Sequence, residues 1–518
     1  MADKASRTKQ SALSLVTGIG GQLINEALRF ITRTVFIYTL GKVFLGVNGL
    51  FSEIMTMLAL TELGFGTAII YRLYKPIAHQ DAKQVRVLLK FYKKAYHIIG
   101  FIILVVGLAL LPFLQFLIKD YDSIGAVGLN AEFVYLLFLS QSVISYFCYA
   151  YRASLLTADQ KQYILNTTSV VVEFCRSLLQ IIVLLLWKDF IAYLFIAIIS
   201  AVAVNLINAY IARKKYPSFF EKEEDSLPKS EVKTMLKDCM ALFVYKVNGA
   251  VQKSTGNLII SAFIGLSTVA LYSNYLLVYA AIRQLASQFF TAIKGSTGNL
   301  FATSSTENQY SFFELLDFIT AILYGTIGIT VAINVNILMT AWLGTDYIIP
   351  QPYPLLLGCE IFLLGLTLSL NQIRNATGLF RQMWARPIFG MIINLVSTLL
   401  LVRVIGVYAI PLGYIISVTS TNLTADPIII YKYAFENKYR LSDYYSRNLS
   451  ISLLLVAIGL LDYFLCNSMF SENTWISFII RCLICVSLTP SIILLLYRNT
   501  NKGKYTFSII KRITNRIH

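Results

Sequence analysis

Glu26, Arg29 and Arg33 stand close together in the otherwise apolar segment NEALRFITR. Spacings of three, four and seven residues place all three on one face of a helix. A later segment carries Lys246 and Lys253, again seven apart, and the next carries Arg283. A charge in hydrocarbon is costly unless it meets a counter-charge or water, so each position is a candidate site. Cations outnumber the local acids, which favours binding of an anion, with phosphate the obvious group for ammonium and guanidinium donors. The competing account is internal pairing, of Glu26 with Arg29 or of Lys246 with Asp238. Glu62, beside the Gly64-Phe65-Gly66 break, is a candidate for pairing with an arginine or for carrying a coupling proton. Glu173 and Arg176, three apart, are expected to satisfy each other, and Asp426, before Pro427, is expected to be interfacial. Asn25, Asn248, Gln252, Asn257 and Asn274 offer hydrogen bonds that suit either a sugar or helix–helix contacts.

No chemistry of a catalytic or metal kind accompanies these charges. The three histidines, His79, His97 and His518, are scattered, and most of the seven cysteines fall in apolar runs. Cys482 and Cys485 form a CxxC, but inside an apolar helix without a second pair, so they read as packing residues. GxxxxGK[ST], HExxH and GxSxG are absent from the sequence. The expectation is no enzyme and no cofactor, apart from a possible coupling ion, H+ or Na+.

The elements that must position the charges are membrane spans. Of 518 residues, 57% are hydrophobic and 14% charged, with a mean hydropathy of +0.66. No soluble core hides that much apolar side chain, which excludes a soluble enzyme and a disordered chain. A span needs about 20 mostly apolar residues. Fourteen segments qualify: 12–40, 46–71, 95–118, 131–156, 164–187, 190–212, 239–263, 267–292, 312–340, 353–373, 387–404, 408–430, 449–466 and 475–497. With the N-terminus inside, 33 of the 44 Lys and Arg fall in cytoplasmic segments and 4 in external ones. That asymmetry supports fourteen spans with both ends cytoplasmic. Most of the net charge of +17 is therefore topology, and nucleic-acid binding is not expected. The polar run Lys83–Lys94 reads as an amphipathic segment lying on anionic lipid.

Weak internal repeats suggest a duplicated six-helix unit. Phe44-Leu45-Gly46 recurs as Phe263-Ile264-Gly265, Arg152 as Arg374, and Gln160 as Gln382, at offsets of about 220 residues. The expected organisation is an N-lobe over 1–212, a cytoplasmic linker over 213–238, a C-lobe over 239–430, and two further helices with a basic tail over 431–518. Two lobes of six helices each would face one another across a cavity. At 1.5 Å per residue, Arg29 and Lys253 lie about 25 Å from the cytoplasmic ends of their helices.

Three stretches carry a family resemblance. LTELGFGTAIIYRLYKPIAHQD (Leu60–Asp81) with LLKFYKKAYHIIG (Leu88–Gly100) resembles the second-to-third helix region of Wzx-type polysaccharide repeat-unit flippases. AWLGTDYIIPQP (Ala341–Pro352) resembles their ninth-to-tenth helix loop, and Ile373–Ser417 their tenth-to-twelfth helix region. One departure is Arg386–Gly390, where an acidic residue is expected near Gly390. The resemblance implies an all-α integral membrane fold of the multidrug/oligosaccharidyl-lipid/polysaccharide exporter type. It implies two six-helix bundles, plus two C-terminal helices, in the bacterial cytoplasmic membrane. The implied cargo is an undecaprenyl-pyrophosphate-linked oligosaccharide for capsule or O-antigen export. Arg29, Arg33, Lys246, Lys253 and Arg283 would be its contacts, and a polysaccharide polymerase and glycosyltransferases its partners. A lipid II flippase and a drug/cation antiporter share this fold and are the alternatives. A membrane polymerase or ligase is disfavoured because the external loops are short.

Overall fold

In the computed structural model, residues 2–59, 65–221, 227–228, 230–233, 255–379, 382–470 and 474–498 are described. Glu62, Lys246, Lys253, Asn248 and Gln252 lie outside them, as does most of the expected linker. The described residues form helices and turns without strands.

Helices of six or more residues are numbered in chain order. The first four are α1 (Ala2–Leu40), α2 (Lys42–Leu58), α3 (Phe65–Ala78) and α4 (Ala82–Leu110). Then come α5 (Ala131–Phe147), α6 (Ala153–Ala158), α7 (Gln162–Leu186), α8 (Phe190–Lys215) and α9 (Gly256–Phe263). Next are α10 (Leu266–Thr303), α11 (Thr306–Leu343), α12 (Tyr353–Thr377) and α13 (Arg386–Ile405). Last are α14 (Ala409–Ser420), α15 (Asn422–Tyr433), α16 (Leu441–Met469) and α17 (Trp475–Leu496).

Among the described residues, eight helical stretches are long and apolar enough to cross a membrane, or nine if the pair α5 and α6, bent by 48°, is one span. The chain is thus a multi-pass membrane protein, but fourteen spans are not established. The expected segment 12–40 falls on α1, which is not among the eight. The segment 46–71 is divided between α2 and α3.

Outward faces are apolar where a soluble protein would be polar: Phe116, Leu186, Trp187, Leu400 and Val404 are all exposed. Large apolar side chains left exposed on spanning helices face lipid. Short polar residues start the helices. Asp81 caps α4 by accepting from the Gln84 N–H at 3.0 Å, and Asn130 caps α5 through Phe133 at 2.7 Å. Asp189 caps α8 through Ile191 and Ala192, and Thr474 caps α17 through Ser477. These side chains satisfy N–H groups that the helix itself leaves open.

By internal contacts the chain divides into two units, Met1–Ala270 and Leu271–His518. In the first, α1 packs along α7, α4 along α5, and α9 against α2. The two glycines of the repeated tripeptide meet at one junction. A Cβ on Gly46 would stand 2.4 Å from the Leu266 carbonyl oxygen, and one on Gly265 would stand 2.1 Å from Asp120 Oδ2. Gly265 also has φ +137°, which other residues rarely adopt. In the second unit α11 packs on α12 and α17, and α13 on α14. An aromatic core of Tyr310, Phe313, Tyr431, Phe435 and Tyr444 joins the ends of α11, α15 and α16.

The run Lys83–Lys94 differs from its expected role. It forms the first turns of α4, continuous with the span, rather than a separate segment lying on lipid. Its apolar face, Val85, Leu88, Leu89 and Tyr92, is buried in protein. Arg86 donates to the Ser218 carbonyl at 2.9 Å and pairs with Glu221 at 3.1 Å, tying these turns to the segment after α8.

Candidate functional site

Of the seven residues singled out from the sequence, four lie in described parts of the structure. In the first unit, Arg29 Nη1 pairs with Glu26 Oε1 at 3.1 Å, the internal pairing that competed with anion binding. The Arg29 side chain nevertheless remains 57% accessible. A guanidinium cannot be left in hydrocarbon, so this side of α1 must meet water, a headgroup or an anion.

Arg33, one turn further, is half-buried among groups of α7 and α8. Tyr193 of α8 lies within electrostatic range of Arg33, Arg176 and Glu173. Glu173 and Arg176 form the ion pair their spacing predicts. Phe36 closes this side with edge-on contacts to Phe190 and Tyr193, at 5.7 and 5.1 Å between ring centroids. Arg29 and Arg33 therefore occupy different environments: the first is open and paired locally, the second is set into the α1–α7–α8 interior.

In the second unit Arg283 is not an isolated cation. It shares its surroundings with Glu360 of α12, Tyr279 one turn earlier on α10, and Tyr414 of α14. The Tyr279 hydroxyl donates to the Glu360 carboxylate. All four are partly buried. An arginine opposed by one carboxylate that is itself held by a tyrosine can exchange that partner for a phosphate oxygen, since both offer paired acceptors to the guanidinium fork.

Several other acids of the described helices are engaged. Glu53 of α2 is buried and accepts from the Asn257 N–H at 3.2 Å, so Asn257 has a helix–helix role. Asp426 is buried rather than interfacial, with Arg386 Nε at 2.9 Å from its Oδ1 and Arg374 within electrostatic range. Arg386 thus neutralises an acid of α15. Arg447, two residues before the expected segment 449–466, lies inside α16. It pairs with Glu314 and, at 2.9 Å, with Asp317 of α11. Ser369 and Asn448 also donate to Asp317, at 3.0 and 3.1 Å. Both carboxylate oxygens of Asp317 thus have partners, as a buried charge requires.

Glu360 and Glu53 are the site-level residues the charge pattern passed over. Both stand alone in apolar runs, LLLGCEIFLLG and LFSEIMTML, and an acid in such a run is as informative as a base.

Comparisons with known proteins now bear on these helices. The profile of the family described as "Polysaccharide biosynthesis protein" matches residues 12–293. No curated protein matches significantly. Among solved structures, the fold is similar to that of the lipid II flippase MurJ in an inward closed conformation. The TM-score is 0.60 at 14% identity, covering 94% of this chain and 99% of that one. It is also similar to an inward-facing multidrug resistance MATE transporter of the MOP superfamily, at TM-score 0.57 and 16% identity over 80% of this chain and 96% of that one. A MATE transporter of Vibrio cholerae gives TM-score 0.51 at 14% identity, covering 85% and 99%. These likenesses show a membrane-transporter fold.

Proposed function

Because the chain belongs to the polysaccharide biosynthesis protein family, we propose that it is a flippase for lipid-linked oligosaccharides. The cargo is an undecaprenyl-pyrophosphate-linked repeat unit of a capsule or O-antigen type polysaccharide, moved from the cytoplasmic to the outer leaflet of the bacterial inner membrane. The observation that carries the reading is the exposed arginine at Arg29 on α1, in a chain with a transporter-like fold and within a family named for polysaccharide synthesis.

A sugar pyrophosphate must cross about 30 Å of hydrocarbon, which is prohibitive without water and cations along the way. Arg29, Arg33 and Arg283, with Lys246 and Lys253, supply the cations in this reading, and the polyprenyl tail stays in lipid. Alternating access of an N-lobe over 1–212 and a C-lobe over 239–430 exposes them to one leaflet and then the other. Binding weakens for release when Glu26 and Glu360 reclaim Arg29 and Arg283. No nucleotide motif stands in the sequence, so the driving force is a gradient of H+ or Na+, or consumption of the product by a polymerase. Glycosyltransferases supply the cargo. Both termini are cytoplasmic.

The test is translocation of a fluorescent undecaprenyl-pyrophosphate oligosaccharide in proteoliposomes, read by quencher protection. Protein-dependent transfer is expected, and Arg29→Ala and Arg283→Ala each lower it about tenfold or more, the loss of one charge-assisted contact. Transfer unaffected by either substitution sinks the site assignment. Lipid II moved in place of the oligosaccharide would favour the second reading, which the MurJ-like fold raises.

A further inference from the structure

Beyond the transport reading, one feature of the first unit remains without a role. A groove of about 540 Å³ is lined by Lys90, Lys93, Lys94, His97, Ile98, Phe101 and Phe147. Six of these are on α4 at spacings of three and four, so they form one stripe. The stripe changes character along its length. Its first three rungs are exposed lysines; its last are the exposed apolar side chains Ile98 and Phe101. Phe147, at the end of α5, walls the other side, with its ring 5.3 Å from that of His97.

Length places the change of character at the membrane surface. The stretch Ala82–Leu117 has 36 residues, about 54 Å of helix, against about 30 Å of hydrocarbon. Several turns must project, and the last lysine, Lys94, marks where α4 enters. From Lys90 to Phe101 is about 16 Å, close to the depth of one leaflet.

We propose that this groove binds one anionic membrane phospholipid, its headgroup phosphate between Lys90, Lys93 and Lys94 and an acyl chain over Ile98, Phe101 and Phe147. Charge complementarity selects the headgroup, and the apolar lower half requires a chain on the same molecule. The opposite face of α4, Val85, Leu88, Leu89 and Tyr92, is already buried in protein, so the stripe is the face left to lipid.

Native mass spectrometry of the detergent-purified full chain tests this, with dioleoylphosphatidylglycerol, dioleoylphosphatidylcholine, inorganic phosphate and undecaprenyl pyrophosphate as separate probes. One phosphatidylglycerol is expected to be retained, and phosphatidylcholine and phosphate not. The triple variant Lys90→Gln/Lys93→Gln/Lys94→Gln is expected to weaken retention at least about tenfold. Arg213→Gln/Lys214→Gln, which removes exposed cations elsewhere, is expected to leave it unchanged, and Phe101→Ser to weaken it with all lysines present. Equal retention of phosphatidylcholine, or of phosphatidylglycerol by the triple variant, overturns the proposal. So does retention of undecaprenyl pyrophosphate alone, which would make the groove a cargo entrance. The readout is binding without transport, so its failure is separable from failure of the flippase reading.

Discussion

Arg447 reaches two carboxylates from a position with little accessible surface. Removing it as Arg447→Met strands Asp317 in the interior, at a cost of about 3–5 kcal/mol. A large drop in the thermal unfolding midpoint of the purified protein is expected, and Arg447→Met/Asp317→Asn should recover much of it. Equal midpoints for the single and double variants would mean that the network does not hold α16 to α11. The same logic separates Glu360 from a purely structural acid. If the carboxylate competes with cargo for Arg283, Glu360→Gln should tighten binding of the pyrophosphate lipid while slowing its release. In the proteoliposome assay that is a lower apparent KM together with a lower maximal rate. A lower maximal rate with KM unchanged or raised would instead mark it as structural.

At the scale of elements, the junction of α2, α9 and α10 turns on two glycines. Gly46→Ala drives a methyl into the Leu266 backbone, which cannot yield, whereas the obstacle at Gly265 is a side chain, Asp120. Gly46→Ala should therefore abolish recovery of folded protein. Gly265→Ala with Asp120→Ala should recover only part of the loss, because the φ of +137° still penalises alanine. Fluorescence-detected size exclusion of tagged variants reads the difference. Tripeptide repetition in the sequence flagged these positions, but not that both glycines serve one junction. The starts expected at 131, 190 and 475 match those of α5, α8 and α17, where Asn130, Asp189 and Thr474 cap within three residues of themselves. The ends of α4 were not legible, because whether basic turns lie on lipid or continue a span depends on what packs against Val85, Leu88 and Tyr92.

The whole molecule is a multi-pass membrane protein of the polysaccharide biosynthesis protein family with a fold similar to membrane transporters, and its topology is open to direct measurement. Lys161 and Lys188 bracket α7. In a background without native cysteines, Lys188→Cys should react with an impermeant maleimide on intact cells, and Lys161→Cys only after permeabilisation. Labelling of both from one side would overturn the orientation read from the charges. Membrane residence, helical class and charge asymmetry followed from composition and order along the chain, since burial of backbone polar groups in lipid leaves few architectures. The family was readable in the same way, from stretches whose residues are contiguous. Which charges are satisfied was not. Glu26 with Arg29 and Glu173 with Arg176 are neighbours on one helix, and spacing revealed them. Arg283 with Glu360, Arg386 with Asp426 and Arg447 with Asp317 join residues 40 to 130 positions apart. Only packing of the helices brings such partners together, and the Coulomb energy that decides their roles depends on separation in space.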